Sequence, residues 1–319
     1  MASGGQPDPA GIRAIGRAGF KHLLNLALAS SPGALANEAE LAEAAGLRYL
    51  HLPIDFETPE PEQAARLYAE LERLRGEPVF VHCAKNMRVS ALLCGYRQVL
   101  GGVPSRVARA DLLAIWEPNH SWRCYVANAA LAALPKPVRL ETERLVLRDA
   151  LLGDAEDVDR YASDPEVCQF MIWGPNTFER TREVLQFRVN VQQVEPGRRA
   201  FELMLVEKAS GRVVGSAGLR VADTNALDAD LGYVLARAKW GQGLVPEACA
   251  KLLEVAFGWF GLHRVWASTD AENLASQRVL EKLGLRREAH FVQKDFVKGR
   301  YRDTLVYAIT EAEYWARQA

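Results

Sequence analysis

Apolar positions along the chain follow two successive patterns. Up to about residue 134, short, wholly apolar runs alternate with segments whose apolar residues recur every three or four positions. The spacing predicts helices over residues 11–18, 36–45, 61–74 and 89–100, the third with Pro61 in its first turn. Between them it predicts strands over 21–28, 49–54 and 78–82. Such alternation is the pattern of an α/β layer with a mostly parallel sheet.

The second half reads differently. A strand is expected over 139–148, then helices over 154–162 and 180–193. Strands over 201–207 and 213–219 follow, joined as a hairpin at Ala209-Ser210-Gly211. A strand over 230–235, a helix over 248–260, a strand over 265–269 and a helix over 273–283 come next. Strands over 287–291 and 302–309 close the chain. Strands in runs with helices between them indicate an α+β domain with a mixed, mostly antiparallel sheet. Pro135 and Pro137 interrupt the pattern between the halves, which sets the expected domains at 1–134 and 135–319.

Composition adds bounds. At 319 residues, 49% hydrophobic and 25% charged, the chain has room for two ordinary globular domains. A net charge of −1 gives no general attraction to nucleic acid or to an anionic membrane. The first residues lack the positive start and apolar core of a secretory signal, and no apolar run is long enough to span a bilayer. Cys83, Cys94, Cys124, Cys168 and Cys249 are odd in number and lack paired C-x-x-C spacing, which fits a reducing compartment. A cytoplasmic location is therefore expected, and no metal.

The most informative stretch is Trp240-Gly241-Gln242-Gly243-Leu244, between the strand over 230–235 and the next helix. Gly241 and Gly243 allow a tight turn and close backbone approach, and the free amides at a helix start attract phosphate. Downstream stand Asn273-Leu274-Ala275-Ser276 and Val279-Leu280-Glu281-Lys282-Leu283-Gly284-Leu285, and upstream Leu140-Glu141-Thr142-Glu143-Arg144-Leu145. Over residues 138–316 these ordered motifs resemble the GNAT acyl-CoA N-acyltransferases, in the branch that acetylates ribosomal-protein N-termini and small amines.

That resemblance implies acetyl-CoA as acyl donor and a primary amine, on a protein N-terminus or a small molecule, as acceptor. It implies that Val234 and Leu235 pair with the pantetheine arm on a strand splayed from its neighbour. Trp240, Gly241, Gln242, Gly243 and Leu244 would wrap the diphosphate. Ala238 stands where the family usually places an Arg or Gln, flanked by Arg237 and Lys239. Asn273 would hydrogen-bond the donor, and Ser276 would protonate the leaving thiolate. On the residues alone, Asn273 also reads as a helix cap. Asp295 matches the branch's acidic residue and would be the base, working through water, though on the residues alone it reads equally as an exposed Asp in a turn; Glu247 and Glu288 are weaker alternatives. Glu247 also reads as a favourable charge at the helix start. Trp173, in the expected mobile connection Met171-Ile172-Trp173-Gly174-Pro175, is the preferred lining of an acceptor pocket. Phe170, Tyr233 and Tyr301 read equally as core.

In the first half, Val81-His82-Cys83-Ala84-Lys85-Asn86-Met87-Arg88-Val89-Ser90 lies between strand and helix. Successive amides at a helix start bind an oxyanion and favour a thiolate, while Arg88 offers a two-pronged donor and Lys85 further charge. Over residues 5–127 the chain resembles the cysteine-dependent tyrosine and dual-specificity phosphatases. Their roles would fall on Cys83 as nucleophile, Arg88 as phosphate clamp, Ser90 as an aid to breakdown of the phospho-cysteine, and Asp55 as leaving-group acid. A phosphorylated substrate would then be a second partner. Four residues separate Cys83 from Arg88, one fewer than in that family, and none is glycine. A shorter loop of this kind is closer to rhodanese sulfurtransferases, and a non-catalytic anion site also fits. His82 reads as a buried hydrogen-bonding residue. The chain thus reads as an N-acetyltransferase fused to a phosphatase-like domain. The alternatives are a phosphatase carrying a CoA-sensing module, and a binding protein without chemistry.

Overall fold

The protein is described here from a computed structural model, which covers residues 1–193, 198–222 and 227–318. The chain divides into two compact units, Met1–Ala133 and Leu134–Ala319. Among the described residues, no helix is long and apolar enough to cross a membrane.

The first unit runs β1 (Ala2–Gly4), α1 (Pro9–Arg17), β2 (His22–Asn25), α2 (Glu38–Ala44), β3 (Arg48–His51) and α3 (Pro61–Arg73). It continues with β4 (Val79–His82), α4 (Met87–Val99), α5 (Ser105–Leu113) and α6 (His120–Ala133). Its four strands lie in the order β1-β4-β2-β3 and are parallel throughout. Alternation along β2 sorts the core: Leu24 faces Leu67, Leu92 and Trp122, whereas Leu23 joins Ile12, Ile15 and Ala42 on the other face. Helices on both faces explain why β2 is buried along its whole length. α1 begins earlier than its apolar spacing indicates because Asp8 accepts from the Gly11 amide at 2.7 Å and Pro9 fills the first helical position.

The second unit begins with β5 (Arg139–Glu141), β6 (Leu145–Arg148), α7 (Ala155–Ala162), α8 (Pro165–Cys168) and α9 (Phe178–Gln193). It goes on through β7 (Ala200–Glu207), β8 (Val213–Val221), β9 (Asp228–Leu235), α10 (Leu244–Glu254) and β10 (Arg264–Asp270). It ends with α11 (Leu274–Leu283), β11 (Arg286–Val297), β12 (Arg300–Thr310) and α12 (Glu311–Ala316). Eight strands lie in the order β11-β12-β10-β9-β8-β7-β6-β5, antiparallel except for the β9–β10 pair. That pair is parallel because its connection crosses over through α10. The single strand expected over 139–148 is two, folded back on each other where Thr142 Oγ1 accepts from the Leu145 amide at 3.0 Å. β11 loses register with β12 between Arg287 and Ala289 and again between Phe291 and Asp295.

Hydrogen bonds fasten both ends of the segment after α8. Lys298 Nζ donates to the Cys168 carbonyl at 2.5 Å and Arg302 Nη2 to that of Gln169 at 3.1 Å. The Asn176 amide donates to Ala162 O at 2.8 Å. Arg302 also pairs with Asp270 at 2.6 Å, their side chains only 9% and 7% exposed. Removing one partner of such a buried pair strands the other charge. Arg302→Ala should therefore destabilise the protein by about 3–5 kcal/mol in denaturant unfolding. An unchanged midpoint would show that the pair does not hold the fold.

Candidate active site

β9 and β10 pair over three positions only, Asp228 to Asp230 against Arg264 to Trp266. β9 continues to Leu235 and β10 to Asp270 without further pairing between them. β8 still covers the far side of β9 as far as Leu235, so the open backbone groups of residues 231–235 all face the gap.

The gap leads into the glycine turn. Gly241 and Gly243 both have φ of 75°, where a Cβ is costly, and Gly243 caps α10 without a side chain. α10 starts at Leu244, four residues before its apolar spacing indicates, because Pro246 is tolerated in a first turn. The amides of residues 241–245 donate to no acceptor among the described residues. Glu247 is the first to bond back, to Gly243 O at 3.2 Å. A run of free N–H groups at the positive end of a helix is a seat for an anion. No heavy atom lies within 4 Å of where a Cβ on Gly241 would stand, so the seat is open.

The turn is braced from behind. Glu247 Oε1 accepts from Thr142 Oγ1 at 2.5 Å and from the Arg144 amide at 2.8 Å, and its Oε2 from Arg144 Nε at 2.6 Å. Arg144 Nη1 in turn donates to the Gln242 carbonyl at 2.8 Å. Burial acts to raise the Glu247 pKa, but the bonds from Thr142 and Arg144 outweigh it and hold the carboxyl below its ordinary value. Glu247 is therefore an anchor, in place of the base considered from sequence. Glu288 is likewise engaged, by Arg264 and Arg286, each at 2.6 Å.

A cleft of about 640 Å³ opens above these elements. Val234 and Leu235 line it from the strand, and Trp240, Gly241, Gly243 and Leu244 from the turn. Asn273 and Ser276 line it from α11. Trp240 Nε1 is committed to Leu235 O at 2.8 Å, so Trp240 contributes its ring alone. The Gln242 side chain turns away, donating to Ala238 O at 3.1 Å. Asn273 Oδ1 caps α11 by accepting from the Ser276 amide at 3.0 Å, leaving its Nδ2 donors to the cleft. Cap and ligand contact thus use different atoms of one side chain. Ser276 Oγ lies 2.8 Å from the hydroxyl of Tyr233, which also lines the cleft and so is not simple core.

Sequence reading missed Arg278 and Lys282, one turn apart on α11 and both on the cleft. Neither has an ion-pair partner among the described residues, whereas Lys239 is held by Glu207 at 2.6 Å. Their i, i+4 spacing after Asn273 was the available signal. Phe170 and Met171 line the other end of the cleft, whereas Trp173 packs against the core around Val158 and Tyr161 and is not among the walls of this cleft. Asp295 lies outside the cleft walls, 46% exposed, with Oδ2 accepting from Thr304 Oγ1 at 2.5 Å. Tyr301 is exposed and stacks edge-on against Phe296.

In the first unit, Cys83 is buried at 1% exposure before a turn in which Asn86 has φ of 62° and caps α4. Arg88 is 7% exposed, with Nε unpaired and the guanidinium 5.6 Å from the Phe56 ring centroid. Ser90 Oγ donates to Met87 O at 3.1 Å and accepts from Trp116 Nε1 at 3.2 Å. Asp55 accepts the Thr58 and Glu57 amides, and with a smaller contribution from Arg88 its carboxyl is held below the ordinary value. Such a carboxylate holds no proton to give at neutral pH. His82 is fully buried, with Nε2 3.1 Å from Glu38 Oε1, too poorly aligned for a hydrogen bond.

Comparison with known proteins bears on the second unit. The family described as "Acetyltransferase (GNAT) domain" matches residues 144–286. The uncharacterized N-acetyltransferase p20 of Bacillus licheniformis is 32% identical over 176 residues, 55% of this chain and 97% of that protein. A spermidine N(1)-acetyltransferase of Vibrio cholerae is 22% identical over 175 residues, 54% of this chain and 97% of its own. A GCN5-related N-acetyltransferase from Brucella melitensis superposes with a TM-score of 0.50 at 21% identity, over 57% of this chain and 82% of that one, a likeness of fold alone. Through its second unit, the chain belongs to the GNAT acetyltransferase family.

The anchor generates a prediction. Glu247→Ala removes three hydrogen bonds and leaves Thr142 and Arg144 without their acceptor, which should cost about 2–3 kcal/mol at neutral pH. Because the folded carboxyl titrates below its unfolded value, this contribution is present above the unfolded pKa. It is lost as pH falls through the lowered folded one. Wild type and variant should therefore converge in denaturant midpoint in acid; a gap constant from neutral to acid pH would remove the charge from the account.

Proposed function

We propose that the second unit transfers an acetyl group from acetyl-CoA to a primary amine. The observation that carries this reading is the run of unpaired amides over residues 241–245, opening directly onto the parted strand β9. The amides and open glycine seat fit a diphosphate. The edge of β9 left unpaired beyond Asp230 fits the amide-bearing arm of coenzyme A, and Arg278 and Lys282 supply charge for its remaining phosphate. Bound in this way, the donor supplies an activated acyl group. Asn273 Nδ2 donates to the arm, and Ser276 holds a proton where the thiolate departs. Asp295, 46% exposed and outside the cleft walls, takes the amine's proton through water.

Kinship with N-acetyltransferases, one of them named for spermidine, supports nitrogen as the acceptor atom. Calorimetry on the full chain should show acetyl-CoA binding, and Gly243→Glu should weaken it at least about tenfold by placing like charge and a strained φ in the seat. Unaltered affinity in that variant would misplace the diphosphate. Acetyl-CoA turnover against polyamines, aminoglycosides and peptide N-termini would identify the acceptor class.

A second reading concerns the first unit, where the unpaired Nε of buried Arg88, in the first turn of α4 shortly after Cys83, favours an oxyanion. The reaction supported is slow phosphate release from aryl phosphates, whose leaving groups need little help from an acid such as Asp55. Release should vanish in Cys83→Ser and survive in Asp55→Asn. Equal rates in Cys83→Ser and wild type would leave the loop as an anion site without chemistry.

A further inference from the structure

We propose that Tyr233 is a positioning residue for Ser276, holding the serine hydroxyl so that its proton points into the cleft. The proposal rests on the acetyl-transfer reading and deepens it. Tyr233 reaches across from β9 to the first turn of α11, where its hydroxyl lies 2.8 Å from Ser276 Oγ and 3.2 Å from Ser276 O. Each hydroxyl carries one proton, and the serine oxygen has two lone pairs. A phenol is the more acidic of the two and so the better donor. Once Tyr233 donates to Oγ, the serine proton must turn elsewhere, and Ser276 borders the cleft. The serine backbone cannot swing away, because its amide is held by Asn273 Oδ1 at 3.0 Å. Burial raises the Tyr233 pKa well above its ordinary value, so it remains a donor over the whole working range.

The chemistry balances without a net change at Tyr233. As the amine nitrogen forms its bond to the acyl carbon, the carbon–sulfur bond breaks and its electron pair stays on sulfur. Sulfur takes the proton of Ser276, and the proton shed by nitrogen passes through water to Asp295, from which water returns it to Ser276. Throughout, Tyr233 stabilises the electron-rich Oγ by the bond it already donates, and it keeps its own proton. An unaided serine rotates freely and offers its proton to the cleft only part of the time.

Tyr233→Phe removes one oxygen and keeps the ring. Its kcat should fall on the order of a hundredfold, with KM and calorimetric affinity for acetyl-CoA unchanged. Ser276→Ala should lose a similar factor, and the double variant should be no slower than Ser276→Ala, since the tyrosine acts only through the serine. Full kcat in Tyr233→Phe would overturn the proposal, as would losses that multiply in the double variant or a weaker affinity with kcat intact. Wild-type protein that neither binds acetyl-CoA nor turns over any amine would instead sink the acetyl-transfer reading itself.

Discussion

The second unit depends on a parallel pair of strands that stops pairing halfway along. Where β9 leaves β10, the sheet gives up ladder hydrogen bonds that a buried location could not spare. The loss is tolerable because it is confined to one edge. β8 holds the other side of β9 to its last residue, and β12 pairs with β10 along its full length. The groups left over lie on the floor of an open cleft, where water or a ligand completes them.

What makes this gap a site is the rigidity of its end. The turn at Gly241 and Gly243 is braced by Glu247 within α10 and by Thr142 and Arg144 from the β5–β6 turn, about a hundred positions earlier in sequence. Its amides are ordered during folding, so a bound anion does not have to organise them. On α11, Asn273 works in the same economical way, spending its carbonyl on the helix and keeping its amide for the cleft.

Much of this was legible because the candidate site is built of backbone, and backbone exposure is written in glycine. Gly241 and Gly243 mark positive φ, and Asn273 marks a cap, whatever the tertiary fold. Side-chain destinations were less legible. Trp173 and Tyr233 are both aromatics of mixed surroundings; one goes to the core and the other reaches Ser276, and no local pattern distinguishes them. The hairpin within residues 139–148 was hidden because Thr142, Glu143 and Arg144 contain neither glycine nor proline. The turn forms through the Thr142 hydroxyl and the distant Glu247. In the first unit the layer of parallel strands was readable from apolar runs. β1, three residues long, ending in Gly4 and followed by Gly5, lies below what periodicity detects.

The irregular register of β11 bears on how the molecule behaves in company. As the outermost strand of its sheet, β11 offers a free row of backbone groups, and Phe291, Val292 and Phe296 are exposed along it. A straight strand of that kind would recruit other chains into a continuous ladder. The two register shifts break its edge into short pieces. Protection against self-association is thus built into the same hairpin whose Lys298 and Arg302 hold the cleft's far end in place.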